Sequence, residues 1–203
     1  MLAYAVTLVV GFLSLESPDQ PIGDPMFSIL ETLIIVMMPA LVALMVAVHA
    51  WAPEERKSMT LAALVFMGLL AGVTSCLHFV ILTVSRQAAF AALPWFHLIV
   101  SFKWPSVAYA VDILSWDVFF ALSMLLAAPA FAGDRLATSI RFLMIASGVL
   151  SLAGLSGVLT GDMQLRNIGV VGYVPVFLAI EITLGVLFYR TRPTEARVGG
   201  ASS

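Results

Sequence analysis

The chain has 203 residues, 61% of them hydrophobic and only 11% charged, with a net charge of −2. Soluble globular domains run to about half apolar and about a quarter charged, so a mean hydropathy of +1.04 places this sequence in the membrane class. The absence of any basic block excludes an electrostatic footprint for nucleic acid, and the single Cys76 excludes an intramolecular disulfide or a CxxC redox pair. Cys76 is expected to be a small buried hydrophobe.

A helix crossing ~30 Å of hydrocarbon needs ~20 mostly apolar residues. The first stretch, MLAYAVTLVVGFLSL over about 1–15, is apolar but short. It has no basic leading region, and SLESPDQP is a poor cleavage site, so it reads as a short first span rather than a signal peptide. An interfacial helix and a processed or truncated N-terminus are the alternatives. The loop ESPDQPIGDP that follows carries three acids and three prolines and predicts a stiff, turn-rich cap.

Five longer apolar runs follow, at about 26–51, 60–84, 107–131, 142–160 and 168–189. The second span contains Pro39 and the sixth contains Pro175, each removing a backbone donor and predicting a kink. Segment 85–106, SRQAAFAALPWFHLIVSFKWPS, is predicted to be a helix at or in the interface, interrupted by Pro94 and Pro105.

Lys and Arg of short loops collect on the cytoplasmic side. With six spans, one side holds Arg56, Lys57, Arg135, Arg141, Arg190, Arg192 and Arg197, and the other Arg86, Lys103 and Arg166. Counting 88–102 as a further span turns that seven-to-three ratio into four to six, so six spans are favoured. The expectation is an all-α, polytopic membrane helical bundle of six transmembrane helices in a bacterial inner membrane, with both termini cytoplasmic. Residues 1–190 form its single domain, and 191–203 a disordered tail.

Lipid gives helices little hydrophobic drive to associate, so close packing depends on small residues. Gly68, Gly72 and Cys76 in the third span, and Ala153, Gly157 and Gly161 in the fifth, repeat at spacing four. The Gly68/Gly72 and Gly157/Gly161 faces are the expected contacts within the bundle or with a second subunit, alongside the lipid bilayer itself.

A charge at bilayer depth costs on the order of 2.5–3.5 kcal/mol, so buried ionisable groups mark pairs or sites. Glu31 lies about a turn and a half inside the second span, and His78 at similar depth in the third, with Thr74 behind it. In the fourth, Asp112 is shallow and Asp117 sits ~7.5 Å deeper. Four ionisable side chains from three helices thus share the outer half. In a regular helix Asp112 and Asp117 diverge by ~140°, so they cannot serve one pocket. Asp112 then reads as a start-of-helix acid favoured by the helix dipole, and Asp117 as the residue that must be paired or protonated, with His78 or Arg86 as partner.

Arg86 is also a partner for Asp112 or Glu31, whereas Arg166 reads as a local pair with Asp162 four residues earlier. Trp104 is either a lid over the pocket or a belt tryptophan. His49 and Glu181 form an inner tier.

The known chemistries that fit such a cluster are limited. A retinal lysine is excluded because Lys57 and Lys103 lie in connections, and of possible bis-histidine haem pairs only His78 with His97 shares a depth. Gly154-Leu155-Ser156-Gly157 resembles the GxSG of the rhomboid proteases, which implies a serine nucleophile. Every histidine precedes Ser156, however, so the activating base is missing and the glycines read as packing residues. No cofactor is predicted. A divalent metal at Glu31, His78 and Asp117 is the remaining option, with Mg²⁺, Mn²⁺ or Ca²⁺ suiting the oxygen-rich set better than Zn²⁺. The leading function is binding or transport of a small solute, ion or proton, with Asp117 and His78 titrating. The alternatives are a membrane enzyme acting on a lipid and a non-catalytic subunit of a larger complex.

Overall fold

The computed structural model describes residues 1–17, 20 and 22–191. Residues 192–203, which include all but one residue of the expected tail, lie outside the described residues, as do Pro18, Asp19 and Pro21 of the first loop. The described residues form helices joined by short connections, with no strand among them. Five helices are long and apolar enough to cross a membrane: α2 (Met26–Trp51), α3 (Glu54–Thr83), α4 (Val107–Ala130), α5 (Arg135–Thr160) and α6 (Met163–Arg190). They follow α1 (Leu2–Leu13), whose 12 residues rise only ~18 Å. Met1 stands 3.8 Å from Glu181, nine residues before the end of α6. Along the α6 axis α1 therefore starts ~13 Å short of Arg190, and it covers the part of the bundle toward the start of α2, where Gly11 meets Ile22.

Local chemistry sets the boundaries. Pro53 is extended and stops α2, and the Lys57 ammonium donates to the carbonyls of His49 at 2.6 Å and Ala50 at 3.1 Å, satisfying the orphaned end of that helix. Ser106 caps α4 by accepting from the Tyr109 N–H at 3.1 Å, and Asp134 caps α5 by accepting from Ala137 at 2.8 Å. Gly161, at φ 77°, makes the left-handed turn between α5 and α6 that other residues rarely adopt.

Segment 85–106 is not one interfacial helix. It holds two four-residue turns of helix, Ala88–Ala91 and Phe96–Ile99, because Pro94 divides it.

The prolines inside the spans behave differently from one another. The helix α2 runs unbroken through Pro39. Pro175 sits in a π-helical turn, Gly172–Val176, where the wider winding absorbs the missing donor. A second such segment, Leu114–Phe120, lies in α4, and nothing in the sequence announced it.

The helices pack in sequence around a core of Met38, Leu41, Met45, Met67, Leu70, Phe120, Met124, Ile140, Met144 and Phe177. Hydroxyls stitch neighbours together. Ser123 of α4 donates to the Ala63 carbonyl of α3, and Ser147 of α5 to the Gly172 carbonyl of α6, each at 2.9 Å. Val36, Val65, Phe79, Phe142 and Ile182 point outward, as lipid-facing positions require.

The small-residue faces divide. Gly157 packs tightly inside the chain, where an added Cβ would lie 3.0 Å from the Arg166 backbone nitrogen. Gly161, four residues on, has nothing within 4 Å of an added Cβ. Gly68 and Gly72 have nothing within 4 Å of an added Cβ, and Cys76 on the same stripe is exposed rather than buried. The third span therefore makes no close contact through its glycines within this chain.

Candidate functional site: a buried ionic chain across four helices

Five ionisable side chains from four helices join end to end. Glu31 of α2 sits with Oε2 at 2.7 Å from Nδ1 of His78 on α3. On the other side of the ring, Nε2 stands 3.5 Å from Oδ1 of Asp112 on α4, an ion-pair distance without hydrogen-bond geometry. Asp112 Oδ2 accepts from Nη2 of Arg166 at 2.8 Å, and the Nε of that guanidinium donates to Asp117 Oδ2 at 3.3 Å. Arg166 also donates through Nη1 to the Tyr109 hydroxyl at 3.2 Å, with its guanidinium carbon 4.7 Å from the centre of the Tyr109 ring. None of the five is more than 8% exposed, and Asp117 is fully enclosed.

The widened turn in α4 explains how two acids on one helix share one base. Winding with hydrogen bonds to the fifth residue brings positions five apart nearly above one another, so Asp112 and Asp117 do not diverge by the ~140° of a regular helix. Both carboxylates reach Arg166. The reading of Asp112 as a shallow start-of-helix acid is thereby corrected: Ser106 is the cap, and Asp112 is the middle link of the chain.

Two further pairings differ from expectation. Asp117 pairs with Arg166 and not with His78, whose partners are Glu31 and Asp112. Arg166 in turn ignores Asp162, whose carboxylate caps its own turn by accepting from the Gln164 N–H at 3.0 Å. Reach decides between them, because an arginine at the start of α6 can turn its fork into the bundle, where two carboxylates give a bidentate match that a solvent-exposed acid cannot.

Arg86 stays outside the chain. It pairs at the surface with Asp24 at 3.3 Å and donates to the Ser28 hydroxyl, rather than with Asp112 or Glu31. The aromatic ring of the 85–106 segment that stacks on His78 is Phe102, at 5.1 Å between centroids, two residues before the half-buried Trp104.

The inner tier does not form a unit. His49 Nδ1 lies 2.9 Å from the Thr60 hydroxyl and ties the ends of α2 and α3 together. Glu181 lines a cavity of about 430 Å³ between α1, α2 and α6, with Tyr4 also on its wall. Ser156, of the GxSG stretch, offers only its carbonyl to Thr160, while Gly154 and Gly157 pack against α4 and α6. Among the described residues no three His, Cys, Asp or Glu side chains gather closely enough to hold a metal ion.

Three acids face two bases in this chain. Glu31 hydrogen-bonded at Nδ1 and Asp112 at ion-pair distance from Nε2 surround His78 with negative charge, which suits an imidazolium. With Arg166 that makes two positive charges against Glu31, Asp112 and Asp117.

No family model, curated protein or solved structure matches this chain. What the site does is therefore argued from its geometry alone. Arg166, Tyr109 and Phe102 are the members that sequence reasoning missed. The surplus of buried acids over buried bases was the signal that could have found Arg166.

Proposed function

We propose that this chain is a multi-pass protein of a bacterial inner membrane that binds a small cation, the proton included, at the Glu31–His78–Asp112–Arg166–Asp117 chain, and exchanges it with the outer face. The observation that carries the reading is the count of charge: a buried network with three acids and two bases holds one negative charge too many for a low-dielectric interior, and a bound cation removes it. The cluster contains a histidine, whose charge changes near neutral pH, between two carboxylates.

The distribution of Lys and Arg supports the orientation. Arg56, Lys57, Arg135, Arg141 and Arg190 sit at one end of the helices, and Arg86 and Lys103 at the other, which supports a cytoplasmic C-terminal end of α6 and an ionic chain toward the outside. Inward of Asp117 the core is apolar through Phe120, Met124, Met67 and Leu41. An apolar core on that side favours exchange with the outer face, and transport through the membrane would require a second conformation.

A second reading, in which the chain only clamps the helices together, is favoured by one observation: both bases are already held by carboxylates on two sides. The two are separated by stepping the outside pH on protein reconstituted in liposomes and following proton uptake with a pH-sensitive dye. Uptake that falls by more than half in His78→Gln and Asp112→Asn is the expected result. Equal uptake in wild type and both variants would leave the clamp as the surviving account.

A further inference from the structure

Asp117 has two oxygens in very different surroundings. Oδ2 accepts from Arg166, while Oδ1 is buried and has no hydrogen-bond partner among the described residues. Oδ1 sits in a notch built by glycines from two other helices. A Cβ added at Gly154 of α5 would lie 2.7 Å from it and 3.1 Å from the Gly169 Cα, and a Cβ at Gly169 of α6 would collide with the same oxygen. The Ser151 carbonyl borders the notch, 3.4 Å from where that second Cβ would stand. Only hydrogen-sized side chains at both positions let the carboxyl in.

A bare carboxylate oxygen without a partner in such a place carries the full cost of desolvation. A water molecule would relieve it only with space of its own and two to four polar partners. A metal cation would need several oxygen ligands around it. The notch offers one free oxygen, glycine backbone and a single bordering carbonyl. A proton needs no volume beyond the oxygen that holds it, and it removes the charge that the unpartnered oxygen cannot share.

The groups that face Asp117 agree with this charge. Arg166 and Tyr173 approach from α6, and Asp112 and Tyr109 lie on its own helix. Beyond Asp112 come His78 from α3, Glu31 from α2 and Tyr4 from α1, while α5 contributes Ser151 and Gly154 and no titratable group. Two cations and two remaining carboxylates balance once Asp117 is neutral.

We infer that the cation of this site is a proton, that it resides on Oδ1 of Asp117, and that Gly154 and Gly169 form the notch that excludes anything larger. The assignment rests on the reading of the ionic chain as a cation site, and it goes further by naming the cation and the atom.

The test is solid-state NMR on the full chain in lipid bilayers, labelled with carbon-13 at the aspartate side-chain carboxyl and at the glycine Cα. At neutral pH one aspartate carboxyl signal is expected at the protonated position, in through-space contact with a glycine Cα and missing from Asp117→Asn. Asp112 has no such glycine neighbour, so the contact separates the two acids within the wild-type protein and without dependence on the variant's folding. A spectrum in which every aspartate is ionised, or in which the protonated one lacks a glycine contact, overturns the assignment. So does a shift of that signal when sodium is added at constant pH, which would place a metal ion on the free oxygen. A protonated Asp117 signal that stays unchanged across a wide range of outside pH would keep the assignment and sink the exchange reading instead.

Discussion

Arg166 is where a single side chain decides most. It is 8% exposed and holds Asp112, Asp117 and Tyr109 at once, so its removal leaves Asp117 with no cation beside it and Asp112 with His78 alone. Breaking a buried pair by deleting one partner typically costs ~3–5 kcal/mol. Arg166→Ala should therefore lower the thermal unfolding midpoint of the detergent-purified protein sharply, and Arg166→Lys should recover only part of the loss, because an ammonium cannot repeat the fork. An alanine variant as stable as wild type would show that the pairing is not what holds these acids. Glu31, His78, Asp112 and Asp117 were legible in the sequence because each interrupts an apolar run and needs company. Arg166 was not, because a polar turn and a nearby Asp162 gave it a cheaper explanation.

At the level of elements, the spans were legible from apolar length, and four of the five long ones start or stop at a residue with an evident capping or breaking role. The widened turn in α4 was not legible, since an extra residue in a helix leaves no mark on composition or periodicity. It overturned the one inference that assumed regular winding, the ~140° between Asp112 and Asp117. The same geometry makes a prediction that runs against intuition. Deleting outward-facing Leu114 turns a five-residue separation in a wide turn into a four-residue separation in a regular one, ~40° apart, and so keeps both acids toward Arg166. Deleting Leu122, in the regular part of α4, rotates everything after it by ~100° and takes Met124 out of the core. Folded yield by size-exclusion chromatography should be retained in the first variant and lost in the second. Equal loss in both would mean that the wide turn cannot be exchanged for a regular one.

For the whole molecule, the class and the helical bundle were legible from composition, while the inward-facing surface of each helix was not. Glycine stripes look alike in sequence, yet Gly157 is enclosed and Gly68 and Gly72 are open, because that difference depends on which neighbour arrives. The joint between the start of α2 and the end of α3 lies outside the membrane, and it carries a pH dependence. Asp24 is held below the ordinary carboxyl range first by the Ser28 hydroxyl, then by the Ser28 backbone N–H and Arg86. A carboxyl held low in the folded state stabilises above its ordinary value of 3.8, and that contribution is lost as the pH falls through the lower folded value. Acidification below 3.8 should therefore loosen this joint in wild type and leave Asp24→Asn unaffected, as read by amide hydrogen exchange at Ser28. Identical exchange in both proteins at every pH would remove Asp24 from the account.

The two wide turns lie against each other. Trp116 meets Tyr173 at 5.1 Å, and Phe120 meets both Tyr173 and Phe177, so the swelling in α4 is interlocked with the swelling in α6. A swelling of this kind holds one extra residue in its rod and offsets the winding on either side of it, and such turns are frequent at functional sites. Two interlocked swellings hold each other in register, because neither can be unwound without repacking the rings between them. Asp117 rides inside one of them, and Pro175 pins the other.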